Sequence, residues 1–314
     1  MKIGLVGCGH VGSASVYACI MRGVGTEIVM IDKDPALAAA QAEDILHATP
    51  FACPVPVRAG HYEDLAGAGI VMIAAGVNQK DGETRLDLLK RNAAVFQDII
   101  PQILRHAPET ILLIATNPVD VMTHMAAQIA HDTCGLPAHK VIGSGTILDT
   151  ARFRALIGAH LGVSSHSVHG YVLGEHGDSE VLHWSATTVG NLSLADFAAQ
   201  VKAPVTGDVR RQIDEAVRKA AYRIIKGKGA TWYGIGGGMA RIAQAITDDE
   251  HAVITCCMPL DDVETVKNVT LSLPNIVSSQ GIEQTIYPAL SPEEKGALQK
   301  SAQVLREATD AIGY

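Results

Sequence analysis

Several short groups of residues in this chain combine glycine, charge and imidazole at spacings that permit chemistry. Gly7-Cys8-Gly9-His10-Val11-Gly12 fits G-x-G-x-x-G directly after an apolar run and directly before a helical pattern. Bare glycine backbone at such a place lets a pyrophosphate approach a helix N-terminus. Asp32 ends a second apolar run 20 residues after Gly12, placed to accept hydrogen bonds from a ribose diol. Its negative charge would repel a 2′-phosphate, which favours NAD over NADP. The plain alternative is that Asp32 caps a turn.

Three further groups are ambiguous on their own. The segment from Gly76 to Arg85 is a polar loop at the C-terminal end of a strand pattern, and Thr116-Asn117-Pro118-Val119-Asp120 follows another strand end on the same edge. Asn117 reads equally well as a turn residue before proline. Asp149 and Arg152 stand three apart on one helix face, where an intrahelical ion pair is the simplest reading. Gly174-Glu175-His176-Gly177-Asp178 sets a histidine between glycines, but 13 histidines are present and spacing alone does not single one out.

The elements needed to bring these groups together follow from periodicity. Lys2–Val6, Glu27–Asp32, Val55–Ala59, Ile70–Ala74, Ile111–Ala115 and Val141–Ser144 read as strands, most of them flat apolar runs of the kind a parallel sheet buries on both faces. Between them Asp34-Pro35 opens a helix towards His47, and Arg85–His106 predicts a long helix bent at Pro101. Alternation of this kind specifies an α/β, doubly wound Rossmann-type parallel sheet. From about residue 145 the rhythm changes to longer helices (Leu148–Leu161, Asp208–Lys226, Gly236–Thr247) and hairpin-like strands (Ser167–Leu173, Ala252–Met258, Val266–Leu273). That predicts a mixed α+β catalytic domain over 144–314 after a dinucleotide-binding domain over 1–143. Ser291-Pro292-Glu293-Glu294 is a capping box opening a C-terminal helix that docks on the body.

Composition narrows the class. In 314 residues, 47% are hydrophobic and 18% charged, an apolar balance that excludes a disordered chain and points to surface spent on subunit contacts. With 25 basic against 33 acidic residues the net charge is −8, leaving no broad cationic face for nucleic acid. Cysteines at 8, 19, 53, 134, 256 and 257 form no CxxC pair, so reduced, buried thiols, no metal site and a cytoplasmic location are expected. Ile3 to Met21 carries no formal charge, but four glycines, two serines and a histidine within it argue for strand, loop and helix rather than a membrane span or a signal core.

Taken together, the motifs resemble the lactate/malate dehydrogenase family along nearly the whole chain, in the family's order and spacing. The likeness runs through Gly7 to Gly12 with Asp32, the loop Asn78 to Arg85, Thr116 to Asp120, Leu148-Asp149-Thr150-Ala151-Arg152 and Gly174 to Asp178, with Gly229-Ala230-Thr231 as a later substrate-contacting segment. It is greatest to bacterial L-lactate dehydrogenases, because the chain starts at the first strand without the N-terminal arm of the vertebrate enzymes. The resemblance implies NAD held by Gly7, Gly9, His10, Val11, Gly12, Asp32, Gly76 and Asn117. It implies His176 as the acid/base, Asp149 as its partner, Arg152 gripping the substrate carboxylate, Arg85 polarising the carbonyl from a closing loop, and Asn117 and Thr231 completing the pocket. Where relatives often have proline before the loop glycine, this chain has Asp81, which bears on loop closure.

Gln79 separates lactate from malate chemistry in this family, since malate enzymes place arginine there. A neutral amide facing a second carboxylate would leave a buried charge unpartnered, so pyruvate and L-lactate are expected. The alternatives are malate dehydrogenase, a catalytically silent NAD-binding structural protein, and an NAD-dependent glycosidase; the last lacks the metal-binding Cys and His set it would need. Arg154, two residues past Arg152, and His169, seven before His176, point away from the active site if helix and strand are regular. They match positions at which fructose 1,6-bisphosphate-activated relatives bind the effector across a subunit interface, which implies an allosteric site in a homotetramer.

Overall fold

The computed structural model describes residues 1–77, 82 and 85–314, Arg85 by its backbone alone. The expected positions Gln79 and Asp81 and the Arg85 side chain lie outside the described residues. In chain order the elements are β1 (Lys2–Val6), α1 (His10–Arg22), β2 (Glu27–Ile31), α2 (Pro35–Ala48), β3 (Val57–Ala59), β4 (Ala68–Ile73), α3 (Arg85–His106), β5 (Ile111–Ile114), α4 (Val119–Cys134) and β6 (Val141–Gly143). There follow α5 (Ile147–Leu161), β7 (Val168–His169), β8 (Val172–Leu173), β9 (Val181–Leu182), β10 (Thr188–Val189), β11 (Leu192–Ser193), α6 (Leu194–Gln200), α7 (Gly207–Arg218) and α8 (Ala220–Lys228). The chain closes with α9 (Tyr233–Thr247), β12 (Ala252–Val263), β13 (Val266–Ser278), β14 (Gly281–Thr285) and α10 (Pro292–Asp310).

The doubly wound sheet expected from the alternating pattern is present. Among the described residues, nine strands form one sheet in the order β14-β13-β12-β6-β5-β4-β1-β2-β3. The six from β6 to β3 are mutually parallel. Both faces are covered, as flat apolar runs require: Val6, Val71, Ile73, Leu112 and Ile114 pack into one cluster, and Ile3, Leu5, Ile70, Met72, Ile111 and Leu113 into another on the opposite face. The sheet reverses its winding at β1, flanked by β2 and β4, and the crevice there is where ligands of open sheets bind. Among the described residues no helix is long and apolar enough to cross a membrane.

The hairpin-like late strands join the first sheet: β12, with Cys257 paired to Gly143, extends it antiparallel to β6. A side chain at 143 would prevent this approach, because a Cβ there would lie 2.2 Å from Thr123 Oγ1 and 2.3 Å from Cys257 Sγ. Ser167–Leu173 is not one strand but two, β7 pairing with β10 and β8 with β9, so face-counting from His169 to His176 has no regular strand to run along. Asp208–Lys226 is two helices that meet at Lys219. Cys134, expected buried, is exposed, because it ends α4 where the helix runs out to the αL cap at Gly135. The C-terminal capping box forms as read, Glu294 N–H donating to Ser291 Oγ at 3.2 Å and Ser291 N–H to Glu294 Oε2 at 2.9 Å.

The 143–257 contact has a measurable consequence. Gly143→Ala is expected to destabilise the protein by about 1–3 kcal/mol, the usual cost of forcing a methyl into a packed core, with the helix content unchanged. Thermal unfolding followed by circular dichroism reads this, and an unaltered midpoint would mean that Thr123 and Cys257 yield freely.

Candidate active site

The glycine-rich turn after β1 is shaped by what its glycines touch. Gly7 has φ +103°, closed to most side chains, and a Cβ there would sit 2.4 Å from Ala75 N; a Cβ on Gly12 would sit 2.0 Å from Gly7 O. A Cβ on Gly9 meets nothing within 4 Å, so backbone faces open space at the very start of α1. That helix has no side-chain cap, which leaves its first N–H groups for an anion. Asp32, just past β2, is steered back to this turn: its Oδ2 accepts from Cys8 N–H at 2.7 Å and its Oδ1 from Asp34 N–H at 3.0 Å. These residues fit a dinucleotide, with the pyrophosphate over Gly9 and the helix end and a diol against Asp32.

Val11 is half-buried, and His10 is exposed with its ring 4.7 Å from that of Trp232. Trp232 arrives there because α9 lies close along α1, where a Cβ on Gly236 would sit 2.8 Å from the Ala14 backbone. Lys228 Nζ stands 3.3 Å over the same indole. The sequence reading singled out neither Trp232 nor Lys228, since nothing in their spacing joins them to a turn more than 200 residues earlier.

A second residue without a motif binds two of the expected loops together. Asn92, buried on α3, accepts from Val77 N–H at 2.9 Å and donates through Nδ2 to Asn117 O at 3.3 Å. Gly76 fits between them, a Cβ there lying 2.8 Å from Thr116 Cγ2. Thr116 Oγ1 donates to Ala75 O at 2.7 Å, so the loops leaving β4 and β5 form one unit. The Asn117–Pro118 peptide is cis.

Asp149 is the centre of the site. It sits in the first turn of α5, 2% exposed. Arg152 Nη1, one turn on, donates to its Oδ1 at 2.7 Å, and His176 Nδ1 lies 2.5 Å from its Oδ2. Both readings of the Asp149/Arg152 spacing therefore hold at once, an intrahelical pair that also carries a third group. His176 reaches Asp149 through a bend at Gly174, φ +83°, where a Cβ would meet Ser301 Oγ of α10 at 2.6 Å. Ser301 Oγ accepts from Glu175 N–H at 2.8 Å, and His176 N–H donates to Asp120 Oδ2 at 2.8 Å. The loop is thus held by α10 on one side and α4 on the other.

The electrostatics follow. Burial opposes charge on His176, but the Asp149 carboxylate and its hydrogen bond, helped by Asp120, lift the imidazole to about 9. Asp149 is held below the usual carboxylate range, the attraction of His176 and Arg152 overcoming burial. Burial pushes Asp120 up to about 7 against its hydrogen bond from the His176 backbone. The neutral-pH site is an ionised Asp149 between two cations.

Asn117, Asp149, Arg152, His176, Glu180 and Arg218 line one cavity of about 260 Å³ beside the Asn92-tied loops. Thr231, in the turn between α8 and α9, is half-buried and does not line it. Arg154 and His169 lie on a separate cavity of about 390 Å³ that also includes His166 and Arg241. There Arg154 Nε donates to Gly170 O at 2.8 Å and its guanidinium lies over the Tyr171 ring. Among the described residues no group of three or more His, Cys, Asp or Glu is arranged to hold a metal ion.

Known proteins resemble this chain in sequence and fold. The family description "lactate/malate dehydrogenase, NAD binding domain" matches residues 1–143, and its "alpha/beta C-terminal domain" counterpart matches residues 146–312. The chain is 58% identical to an L-lactate dehydrogenase of Thermus aquaticus over the full length of both chains. It is 53% identical to one of Geotalea daltonii over 99% of each. The crystal structure of the minor L-lactate dehydrogenase from Enterococcus mundtii, in its ligands-bound form, superposes with a TM-score of 0.93 at 38% identity, over 99% of this chain and 98% of that one.

The Asp149–His176 contact sets an expected titration. Followed by NMR of the imidazole, His176 should lose its proton near pH 9, and in Asp149→Asn near or below about 6.5, since burial then acts without its countercharge. A parent midpoint at the ordinary histidine value would contradict the geometry.

Proposed function

The chain belongs to the lactate/malate dehydrogenase family, and from that premise we propose that its site reversibly reduces pyruvate to L-lactate. The observation that carries the proposal is the Arg152–Asp149–His176 triangle facing one cavity beside loops tied to the dinucleotide turn. Residues 1–143 hold NAD through Gly7, Gly9, His10, Val11, Gly12, Asp32, Gly76 and Asn117, and residues 144–314 supply the acid and the carboxylate grip. When bound, the reduced nicotinamide supplies the hydride.

His176, charged at neutral pH, gives its Nε2 proton to the ketone oxygen of pyruvate and takes it back from the hydroxyl of L-lactate. Asp149 keeps the Nδ1 proton in place, so only Nε2 exchanges a proton with substrate. Arg152 holds the carboxylate with the donors Asp149 leaves free, orienting the reacting carbon. Arg85 polarises the carbonyl, and Asn117 completes the pocket. Gln79 offers no charge to a second carboxylate, so oxaloacetate is the poorer substrate and malate dehydrogenase the weaker reading. A silent structural protein would have no use for a histidine held charged in an open cavity.

The 390 Å³ cavity supports a regulatory reading. Arg154, His169, His166 and Arg241 bring four basic side chains to one hollow, suited to the phosphates of fructose 1,6-bisphosphate. Two copies meeting across a two-fold axis of a homotetramer would double that charge.

In the decisive assay, purified protein oxidises NADH with pyruvate, with kcat/KM well above that for oxaloacetate, and Gln79→Arg shifts the ratio towards oxaloacetate. His176→Gln loses about 10²- to 10⁴-fold in turnover. No turnover of pyruvate by the parent sinks the proposal, and a ratio untouched by Gln79→Arg sinks the role of that residue. For the effector, fructose 1,6-bisphosphate at pH 6–7 lowers the KM for pyruvate in the parent and not in Arg154→Gln. Equal KM with and without it leaves the cavity as ordinary surface.

A further inference from the structure

Glu180 is a buried acid for which the mechanism above has no use. It lies just ahead of β9, 3% exposed, and its Oε1 has no hydrogen-bond partner among the described residues. It forms wall on two sides: it lines the cavity of His176 and Arg152, and also an outer groove of about 640 Å³ between the histidine loop and α10. A polar atom enclosed without a partner is costly, and a carboxylate more so.

Among the described residues, the cations that line the inner cavity with Glu180 are already held by other groups. His176 and Arg152 are both held by Asp149. Arg218 gives Nε and Nη2 to Asp214 at 2.5 and 3.1 Å and Nη1 to Asp178 O at 2.9 Å. Across the outer groove stand Glu175 and Lys300. Burial and the Asp149 charge accordingly push the Glu180 carboxyl up to about 8, against the pull of Arg218 and His176. An arriving substrate carboxylate adds one more like charge inside the same cavity.

We propose that Glu180 sets the pH range over which this site accepts its substrate: neutral, it tolerates a 2-oxo or 2-hydroxy monocarboxylate beside Arg152, and ionised, it repels one. The inference rests on the pyruvate and lactate reading of the cavity. It differs from the effect of His176 in sign. Loss of the His176 proton disfavours pyruvate and favours L-lactate, whereas ionisation of Glu180 disfavours both, because both carry the carboxylate.

The test measures kcat/KM for pyruvate and for L-lactate from pH 6 to 9.5 in the parent, Glu180→Gln and Glu180→Asp. The ratio of Glu180→Gln to parent should climb with pH for both substrates, by about tenfold between pH 7 and 9, since one unit above its pKa only about a tenth of the acid keeps its proton. Glu180→Asp, which keeps a carboxyl, should follow the parent in its fall at high pH. A flat ratio for both substrates would overturn the proposal, leaving Glu180 a charged partner of Arg218. A ratio that climbs for pyruvate and drops for L-lactate would overturn it too, as the sign of a shifted His176. Should Glu180→Gln not fold, Glu180→Ser removes the same charge and must give the same climb. Absence of turnover by the parent with either substrate would instead sink the assigned reaction.

Discussion

A single buried negative charge organises this molecule. Asp149 is ionised with almost none of its surface in water, and a carboxylate there persists only while cations and hydrogen bonds replace its hydration. Arg152 comes with the helix, one turn on. The second partner must come from elsewhere in the fold, so the loop carrying His176 is bent at Gly174, pinned to Ser301 and drawn onto Asp120. Arg152 and His176 thus share one anchor, each replacing part of the hydration that the carboxylate has lost. The same charge keeps the imidazole protonated at neutral pH.

The sheet makes that anchoring rigid. Strands buried on both faces do not shift, and the loops that carry Gly76 and Asn117 leave the ends of those strands, while Asp149 stands in the first turn of α5. Those loops are not left to themselves: Asn92 ties the segment after β4 to the segment after β5, and Thr116 adds a second link. The C-terminal helix has a comparable task at the other side, holding the backbone beside His176 through Ser301. It also fixes the wall beyond it, Glu294 accepting from Ser185 N–H at 2.9 Å. With most nearby cations committed in this way, an extra acid such as Glu180 is left without an obvious countercharge.

Much was legible in the sequence because it is local. The glycines of the first turn, Asp32 beyond the second strand, the Asp34-Pro35 and Ser291-Pro292 helix starts and the apolar runs of the parallel strands are each written within a few residues. Backbone conformation, capping and burial act over that range. The motif order also carried the family and hence the reaction. The Asp149/Arg152 pair is an intermediate case: helical spacing places them together, and nothing in the spacing says that a histidine 27 residues on would join them.

What only the tertiary structure decided are the meetings of residues far apart in the chain. Gly143 beside Cys257 joins the late hairpin strands to the first sheet. Trp232 over His10, Asn92 between two loops, Ser301 under the histidine loop, and Arg154 with Arg241 in one hollow leave no local trace, because a contact across the fold imposes no period on the sequence. Protonation belongs to the same class. The charge of His176 and the unmatched acid at Glu180 are set by burial and by which neighbours are already paired, and those quantities exist only once the chain has closed around them.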